Sequence, residues 1–149
     1  MPLPPARDLV YVGVQFALLL ALAADPWPGA AAPSWAKYVG AAGVTTSVAF
    51  GLAAVLQLGT ALTPWPSPRR SGALVTAGTY ALVRHPIYAA LLLFAASLAL
   101  ATWSPWRAGL ALALYLLFCR KAAYEERLLR ERYGDAYLAY AERVKGLCW

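Results

Sequence analysis

Four long apolar stretches, separated by short polar or proline-rich breaks, dominate the pattern of the chain. They cover residues 9–24, 38–62, 87–103 and 106–119. A helix needs about 20 apolar residues to cross the hydrocarbon core of a bilayer, and flanking residues can extend a shorter stretch. Proline lacks a backbone donor and ends helices, and it occurs in every break. The pattern predicts an all-α, polytopic membrane protein with about four transmembrane helices in a single domain, residues 1–149.

The first apolar stretch has a competing interpretation as a signal peptide. Arg7 would supply the positive n-region, and Ala-Leu-Ala at residues 21–23 resembles a small-residue cleavage site. We favour a retained helix, because its removal would spoil the charge distribution described below.

Beyond residue 119 the pattern changes from apolar to charged and amphipathic. Residues 120–133 are predicted to carry the fourth helix out of the membrane into water. Gly134 and Asp135 interrupt it, and Tyr137, Tyr140 and Val144 then recur at i, i+3 and i+7. That spacing places the three side chains on one helical face, so residues 136–144 are predicted to form a short amphipathic helix.

The second apolar stretch carries small residues at helical spacing. Gly40, Gly43, Ser47 and Gly51 follow one another at intervals of three and four. Small residues let two helix backbones approach closely in a membrane, so this face is predicted to pack against another helix. The same face would also permit a dimer, and the oligomeric state stays open.

Composition and charge support a membrane location. The chain is 61% hydrophobic and 13% charged, whereas soluble domains have roughly 45–50% apolar and about 25% charged residues. The net charge of +6 does not indicate nucleic-acid binding, because the basic residues adjoin apolar stretches instead of forming a stripe on a polar domain.

The basic residues also predict an orientation. With a cytoplasmic amino terminus, 11 of the 13 lie on the cytoplasmic side. Cytoplasmic loops are enriched in Lys and Arg, so both termini are predicted to face the cytoplasm, with the chain integral to the inner membrane of a cell. Arg69 and Arg70 are expected to contact anionic lipid headgroups. The high Ala, Leu, Arg and Pro content suggests a GC-rich bacterial genome.

The two cysteines, Cys119 and Cys148, form no disulfide framework and match no metal-binding spacing. We interpret both as structurally inert, and we predict no metal site.

The candidate functional residues lie in two separate segments. Arg84, His85 and Pro86 stand where a polar loop meets the third apolar stretch, and His85 is the only histidine. Charged and polar groups are costly next to hydrocarbon, so this position requires an explanation. Antiparallel third and fourth helices would bring His85 level with Glu125 and Glu126. Together these residues offer cationic donors, carboxylates and aromatic faces.

Two motifs in these segments resemble those of a known family. Residues 74–89, LVTAGTYALVRHPIYA, resemble the signature of the isoprenylcysteine carboxyl methyltransferases, which the phospholipid N-methyltransferases largely share. The second motif consists of Glu125, Glu126, Leu129, Tyr133, Gly134, Tyr137, Tyr140 and Val144. The resemblance covers about residues 67–147. Three departures are Thr79 within the first motif, Ala90 after it, and the ending Lys-Gly-Leu-Cys-Trp at residues 145–149.

The resemblance implies a methyltransferase that takes S-adenosylmethionine from the cytosol and a lipophilic acceptor from the bilayer. Its motifs lie in residues 74–90 and 120–147. Arg84, His85 and Glu126 are the candidate catalytic residues, with Arg84 and His85 contacting the cofactor carboxylate or orienting the acceptor. The candidate cofactor-binding residues are Tyr80, His85, Pro86, Tyr88, Glu125, Glu126, Tyr133, Tyr137 and Tyr140. At most one of the adjacent glutamates is expected to face the pocket, and we favour Glu126.

The resemblance leaves the acceptor open. It could present a carboxylate, a thiol or an amine, and in a bacterium it is expected to be a lipophilic molecule other than a prenylated protein. Two other classes also stay open. One is a membrane reductase of the sterol-reductase type that uses a nicotinamide cofactor. The other is a non-enzymatic membrane scaffold, which predicts that alanine is tolerated at Arg84, His85 and Glu126.

Overall fold

The computed structural model describes residues 5–27, 29–63, 65–66 and 73–148, apart from the side chain of Thr60. Over these residues the chain forms helices and no strands, which confirms the all-α prediction. The helices are α1 (Ala6–Ala21), α2 (Ser34–Leu58), α3 (Pro86–Thr102), α4 (Pro105–Tyr133) and α5 (Asp135–Arg143). Two short 3₁₀ turns follow α2 and precede α3, at Gly59–Ala61 and Gly78–Ala81.

One helix in the described part of the chain, α2, is long and apolar enough to cross a membrane, judged by length and composition. Helix α3 is apolar but has 17 residues. The number of four spans, the orientation and the location in the inner membrane therefore stay predictions.

Helices α1 and α2 begin and end three or four residues earlier than the apolar pattern predicts. Each starts directly after a proline, at Pro5 or Pro33, whose fixed φ suits a helix entrance. At the end of α1, two side chains of α4 bind the last carbonyls. The Trp106 indole donates to Ala21 O at 3.4 Å, and Arg107 Nε donates to Leu22 O at 3.1 Å. These bonds satisfy the helix end before the apolar stretch finishes.

The small-residue face of α2 packs against another helix, as predicted, and that helix is α3. A Cβ on Gly40 would lie 2.6 Å from the Cβ of Ala101, and one on Gly51 would lie 3.2 Å from the Cβ of Ala90. A Cβ on Gly43 would overlap the Ser97 hydroxyl. Since α3 of the same chain covers this face, the face is not available as a dimer surface. Ala90, one of the departures from the family pattern, faces Gly51.

Helices α3 and α4 form a tight antiparallel hairpin. Trp103 adopts a left-handed conformation (φ 53°), and the Ser104 hydroxyl accepts from the backbone N–H of Arg107 at the start of α4. As predicted, α4 continues through the charged segment to Tyr133. Gly134, at φ 51°, ends it and starts α5.

The cysteines correct one prediction. Cys119 on α4 and Cys148 beyond α5 are joined in a disulfide. Their separation of 29 residues gave no indication of a pair, because α5 turns the chain back toward α4 only in three dimensions. Arg69 and Arg70, the expected lipid contacts, lie outside the described residues.

Candidate functional site

The first motif is held in place by Gln57 of α2. Its Oε1 accepts two hydrogen bonds from Thr79, one from the backbone N–H and one from the hydroxyl, each 2.8 Å long. Gly78 has φ 63°, and a Cβ there would overlap the Gln57 side chain. This close approach fixes the turn Gly78–Ala81 against α2, and it places Tyr80, which is buried, at the entrance to α3.

Arg84 joins the first motif to the second and to the end of α5. Its Nε and Nη2 donate to the two carboxylate oxygens of Glu126, at 3.0 and 3.1 Å. Its Nη1 donates to the carbonyls of Ala141 and Val144, at 2.9 and 3.0 Å. Four of the five guanidinium donors are therefore bound within the protein. This arrangement holds the guanidinium against Glu126 and the end of α5, and it leaves one N–H without a partner among the described residues.

His85 stands between the two glutamates of the second motif. Its Nε2 lies 3.0 Å from Glu126 Oε1, and its Nδ1 lies 3.8 Å from Glu125 Oε2. The Tyr88 hydroxyl donates to the same Glu125 oxygen at 2.8 Å. The His85 ring stacks on Tyr88, with centroids 5.4 Å apart, and Tyr88 in turn stacks on Phe118 at 4.8 Å.

Both glutamates thus approach His85, but only one of them borders a cavity, in line with the expectation that at most one faces the pocket. Glu126 reaches Nε2 of His85, whereas Glu125 reaches Nδ1 of His85 and the Tyr88 hydroxyl, so each carboxylate meets a different edge of the stack. Glu125 borders both cavities described below, whereas Glu126 borders neither of them and lies behind Arg84 and His85. The preference for Glu126 as the cavity-facing residue is therefore reversed.

The tyrosines of the two motifs meet at the same place. Tyr140 donates its hydroxyl to the backbone carbonyl of Tyr80 at 2.7 Å, which ties α5 to the first motif. Tyr137 is 1% exposed, and its hydroxyl has no hydrogen-bond partner among the described residues. Leaving a buried hydroxyl unpaired costs roughly 1–3 kcal/mol, so a bound polar group would offset that cost.

Two cavities adjoin this cluster and share part of their walls. The smaller, of about 100 Å³, contains the aromatic rings of the second motif: Tyr133, Tyr137 and Tyr140. The larger, of about 280 Å³, extends between α1, α2 and α3 and contains Gln15, Val55, Leu62, Pro86, Ile87, Tyr88 and Lys121. The shared wall consists of Leu58, Thr63, Tyr80, Arg84, His85 and Glu125. Every predicted site residue except Glu126 borders at least one cavity.

The charges of the cluster stabilise one another. Burial raises the pKa of Glu126, but the hydrogen bonds and charges of His85 and Arg84 outweigh burial and hold this pKa below its ordinary value. Burial raises the pKa of Tyr140 to about 12, and it raises the pKa of Tyr80 and Tyr137 further. At neutral pH, Glu126 is therefore a carboxylate and these tyrosines are neutral donors.

Sequence reasoning missed two residues of the larger cavity. Lys121 is 2% exposed, donates to Gln15 Oε1 at 2.6 Å, and lies 5.1 Å from the centre of the Tyr88 ring. The apolar pattern predicts Lys121 in the segment that leaves the membrane, and it assigns Gln15 no role. The available signal was Gln15 itself, since a polar residue inside an apolar stretch needs a polar partner.

A model of a known protein family covers the site just described. The family model described as phospholipid methyltransferase matches residues 35–136, which include all of α2 but its first residue, all of α3 and α4, and the Arg84–His85–Glu125–Glu126 cluster. The chain belongs to the phospholipid methyltransferase family. This family assignment confirms the resemblance that the two motifs indicated, and it leaves α1 and most of α5 outside the matched region.

Curated relatives match the family region as well. Over 72 residues the chain is 33% identical to protein-S-isoprenylcysteine O-methyltransferase B and 36% identical to protein-S-isoprenylcysteine O-methyltransferase A, both from Arabidopsis thaliana. It is 35% identical to a probable enzyme of the same name from Oryza sativa subsp. indica. The matches cover 48% of this chain but only 36–38% of the relatives, so the chain matches little more than a third of their length.

Proposed function

We propose that this protein transfers a methyl group from S-adenosylmethionine to a lipophilic acceptor at the cytoplasmic face of the membrane. The observation that carries the proposal is the wall of His85 and Glu125 between two cavities, one rich in tyrosines and one largely apolar. Two reactants can meet at such a wall. The family assignment and the names of the curated relatives support the reaction class.

The side chains of the smaller cavity fit the chemistry of this cofactor. Glu125 offers a carboxylate to an ammonium group or a ribose diol, and its side chain keeps 25% of its surface exposed. The unpartnered hydroxyl of Tyr137 can donate to a carboxylate or a ribose oxygen. The rings of Tyr80, Tyr133 and Tyr140 can pack against an adenine or a sulfonium. Neither cavity alone reaches the roughly 300 Å³ of usual ligand pockets, so the ligands would share the space on both sides of the wall.

The larger cavity suits the acceptor. Val55, Leu62 and Ile87 give it apolar walls, which suit a hydrocarbon chain. Lys121 gives it a buried ammonium, which Gln15 orients and which lies one helical turn before Glu125 on the same face of α4. A lipophilic molecule with one polar head matches this combination of apolar walls and one buried charge. The head would carry the atom that accepts the methyl group, whether a carboxylate, a thiol or an amine.

When bound, S-adenosylmethionine would supply a methyl group on a sulfonium. An acceptor nucleophile would take this methyl group by in-line displacement of S-adenosylhomocysteine. Alignment and exclusion of water are then the main tasks of the protein. Glu126 accepts from Nε2 of His85, which leaves Nδ1 on the Glu125 side of the ring. There it can take a proton from an amine or thiol acceptor, while a carboxylate needs no proton transfer. Arg84 holds Glu126, and through it the ring, in position.

The first test is calorimetric titration of S-adenosylmethionine and S-adenosylhomocysteine into detergent-purified protein, with a nicotinamide dinucleotide titrated in parallel. We expect micromolar binding of the two methionine-derived ligands and none of the nicotinamide. Folded protein that binds neither methionine-derived ligand would overturn the methyltransferase proposal. Binding of the nicotinamide alone would favour a reductase instead.

The second test addresses the acceptor. Protein reconstituted in membranes is supplied with cofactor carrying a labelled methyl group, and the lipid extract is separated by charge and by base lability. Label released by mild base indicates a methyl ester, whereas stable label indicates an amine or thioether product. Labelled lipid that is equally abundant with His85→Ala protein would exclude a role for this residue.

A further inference from the structure

The disulfide between Cys119 and Cys148 encloses the whole second motif in one covalent loop. Both glutamates, Tyr133, Tyr137 and Tyr140 lie between the two cysteines in the sequence. Cys119 directly follows Phe118, the last ring of the His85–Tyr88–Phe118 stack. One end of the loop is therefore anchored beside the aromatic stack of the site.

The segment that carries Cys148 is fastened to the site as well. The backbone N–H of Arg84 donates to Lys145 O at 3.0 Å, and its guanidinium donates to Val144 O. Leu147 packs against the apolar cluster that contains Leu114, Phe118 and Tyr88. Residues 144–148 thus connect the start of α3 with the middle of α4, and the disulfide is the covalent link in this connection.

The surroundings of the two cysteines leave the disulfide accessible to a reductant. Both cysteines are partly exposed, and Cys119 ends the predicted fourth span, at the level where the membrane meets water. The predicted orientation places this level on the cytoplasmic side, where dithiol reductants keep most protein disulfides reduced. A disulfide between two partly exposed cysteines at this position would therefore respond to the redox state of its surroundings.

We propose that Cys119 and Cys148 are a site of reversible thiol–disulfide exchange with a dithiol, and that the bond holds the cofactor cavity closed. The dithiol attacks one cysteine sulfur, and a second exchange releases it as a cyclic disulfide. Its two electrons and two protons pass to the cysteines, which become thiols. The segment that contains Leu147 is then no longer linked covalently to Cys119 of α4. Helix α5, which carries Tyr137 and Tyr140, is held against the site only by noncovalent contacts.

The ligand-binding part of the test rests on the proposed function. The full chain in detergent micelles is prepared oxidised, treated with dithiothreitol, and reoxidised, and S-adenosylhomocysteine is titrated into each form. We expect reduction to weaken binding about tenfold, within the usual 5- to 150-fold range of coupled sites, and reoxidation to restore it. The chain has two cysteines in total, so a Cys119→Ser, Cys148→Ser protein serves as the control. It should bind like the reduced form and ignore dithiothreitol.

A second measurement keeps the inference testable without any ligand. Trypsin cuts after Arg143 and Lys145, both exposed next to the fastened segment. We expect faster cutting there in the reduced protein and in the double serine variant than in the oxidised protein, with maleimide labelling to count free thiols. Maleimide labelling of both cysteines after mild oxidation, or identical cutting in both redox states, would overturn the inference. If cutting depends on the redox state but S-adenosylhomocysteine does not bind, the proposed thiol–disulfide exchange would stand and the proposed cofactor would be wrong.

Discussion

The α3–α4 hairpin has a buried arginine–carboxylate cluster at each end. At the turn, Arg107 Nη1 lies 3.3 Å from Asp25 Oδ2, and the Ser104 hydroxyl donates to Asp25 Oδ1 at 2.8 Å. At the open end, Arg84 lies 3.0 Å from Glu126, with His85 beside them. The two arginine side chains are similarly buried, with 14% and 9% of their surface exposed.

The surroundings of the two clusters differ. At the turn, Arg107 also binds a helix-terminal carbonyl, and neither Arg107 nor Asp25 borders the two cavities at the site, although Ser104 lines a separate, more open apolar cleft. At the open end, two cavities meet, Glu125 remains partly exposed, and the Tyr137 hydroxyl lacks a partner among the described residues. A buried ion pair alone is thus a poor indicator of function. The informative features are the adjoining space and the polar groups left to be satisfied.

The largest expected effect comes from replacing the arginine of each cluster, which should distinguish the two clusters by ligand binding. Breaking a buried ion pair costs about 3–5 kcal/mol because the partner charge stays buried. We expect Arg84→Met and Arg107→Met each to lower the free energy of unfolding by about this amount, measured by denaturant titration in micelles. Only Arg84→Met should also abolish binding of S-adenosylhomocysteine under conditions where both variants remain folded. Equal loss of binding in both would mean that the clusters do not differ in function.

A smaller effect is expected for the exposed carboxylate. Glu125→Gln keeps an oxygen for the Tyr88 hydroxyl but removes the charge offered to the ligand. A charge-assisted hydrogen bond contributes about 1.5–3 kcal/mol, so cofactor affinity should fall roughly 10- to 100-fold with little change in stability. The matched control is Glu131→Gln, which changes an exposed glutamate further along α4. Unchanged affinity in Glu125→Gln would remove this carboxylate from the cofactor site.

Tyr137→Phe tests the unpartnered hydroxyl. Since this hydroxyl makes no hydrogen bond among the described residues, its removal should leave the stability of the ligand-free protein equal or slightly higher. Loss of a neutral hydrogen bond to the ligand should weaken binding about 2- to 10-fold. Tyr38→Phe, on the exposed surface of α2, is the control. A destabilised variant with normal affinity would show that the hydroxyl has a structural partner instead.

The smallest effect is the pH dependence of stability that Glu126 introduces. Its folded pKa lies below the ordinary value of 4.5, so the unfolded chain binds the proton more readily. The stabilisation is complete above the ordinary value and is lost as the pH falls through the lower, folded pKa. Thermal unfolding measured across the acid range should show this loss in the parent protein, and the Glu126→Gln variant should show less of it. Parallel curves would contradict the ion pair.

The helices and both motifs could be predicted from the sequence, because apolar runs and proline breaks act locally. The long α4, its end at Gly134 and the packing face of α2 followed from residue spacing alone, although the spacing did not name α3 as the partner of that face. The family resemblance brought Arg84 and Glu126 into one hypothesis, and the structure joins them directly.

The remaining features depend on how helices are rotated against one another, which the sequence does not state. Two adjacent glutamates point about 100° apart on a helix, and their spacing does not show that both carboxylates contact the His85–Tyr88 stack. The pairing of Gln15 with Lys121 joins residues 106 positions apart. The Cys119–Cys148 bond needs the reversal at Gly134 before its partners can meet.

The bonds of Arg84 also impose an order on synthesis. This arginine is made 42 residues before Glu126, and 57 and 60 residues before the carbonyls of Ala141 and Val144 that it binds. A nascent chain that has released α3 therefore carries an uncompensated guanidinium at the helix entrance until α5 has emerged and folded back. The Arg84 cluster is completed only after residues 141–144 have been made, so a shorter nascent chain lacks the geometry of the proposed cofactor site.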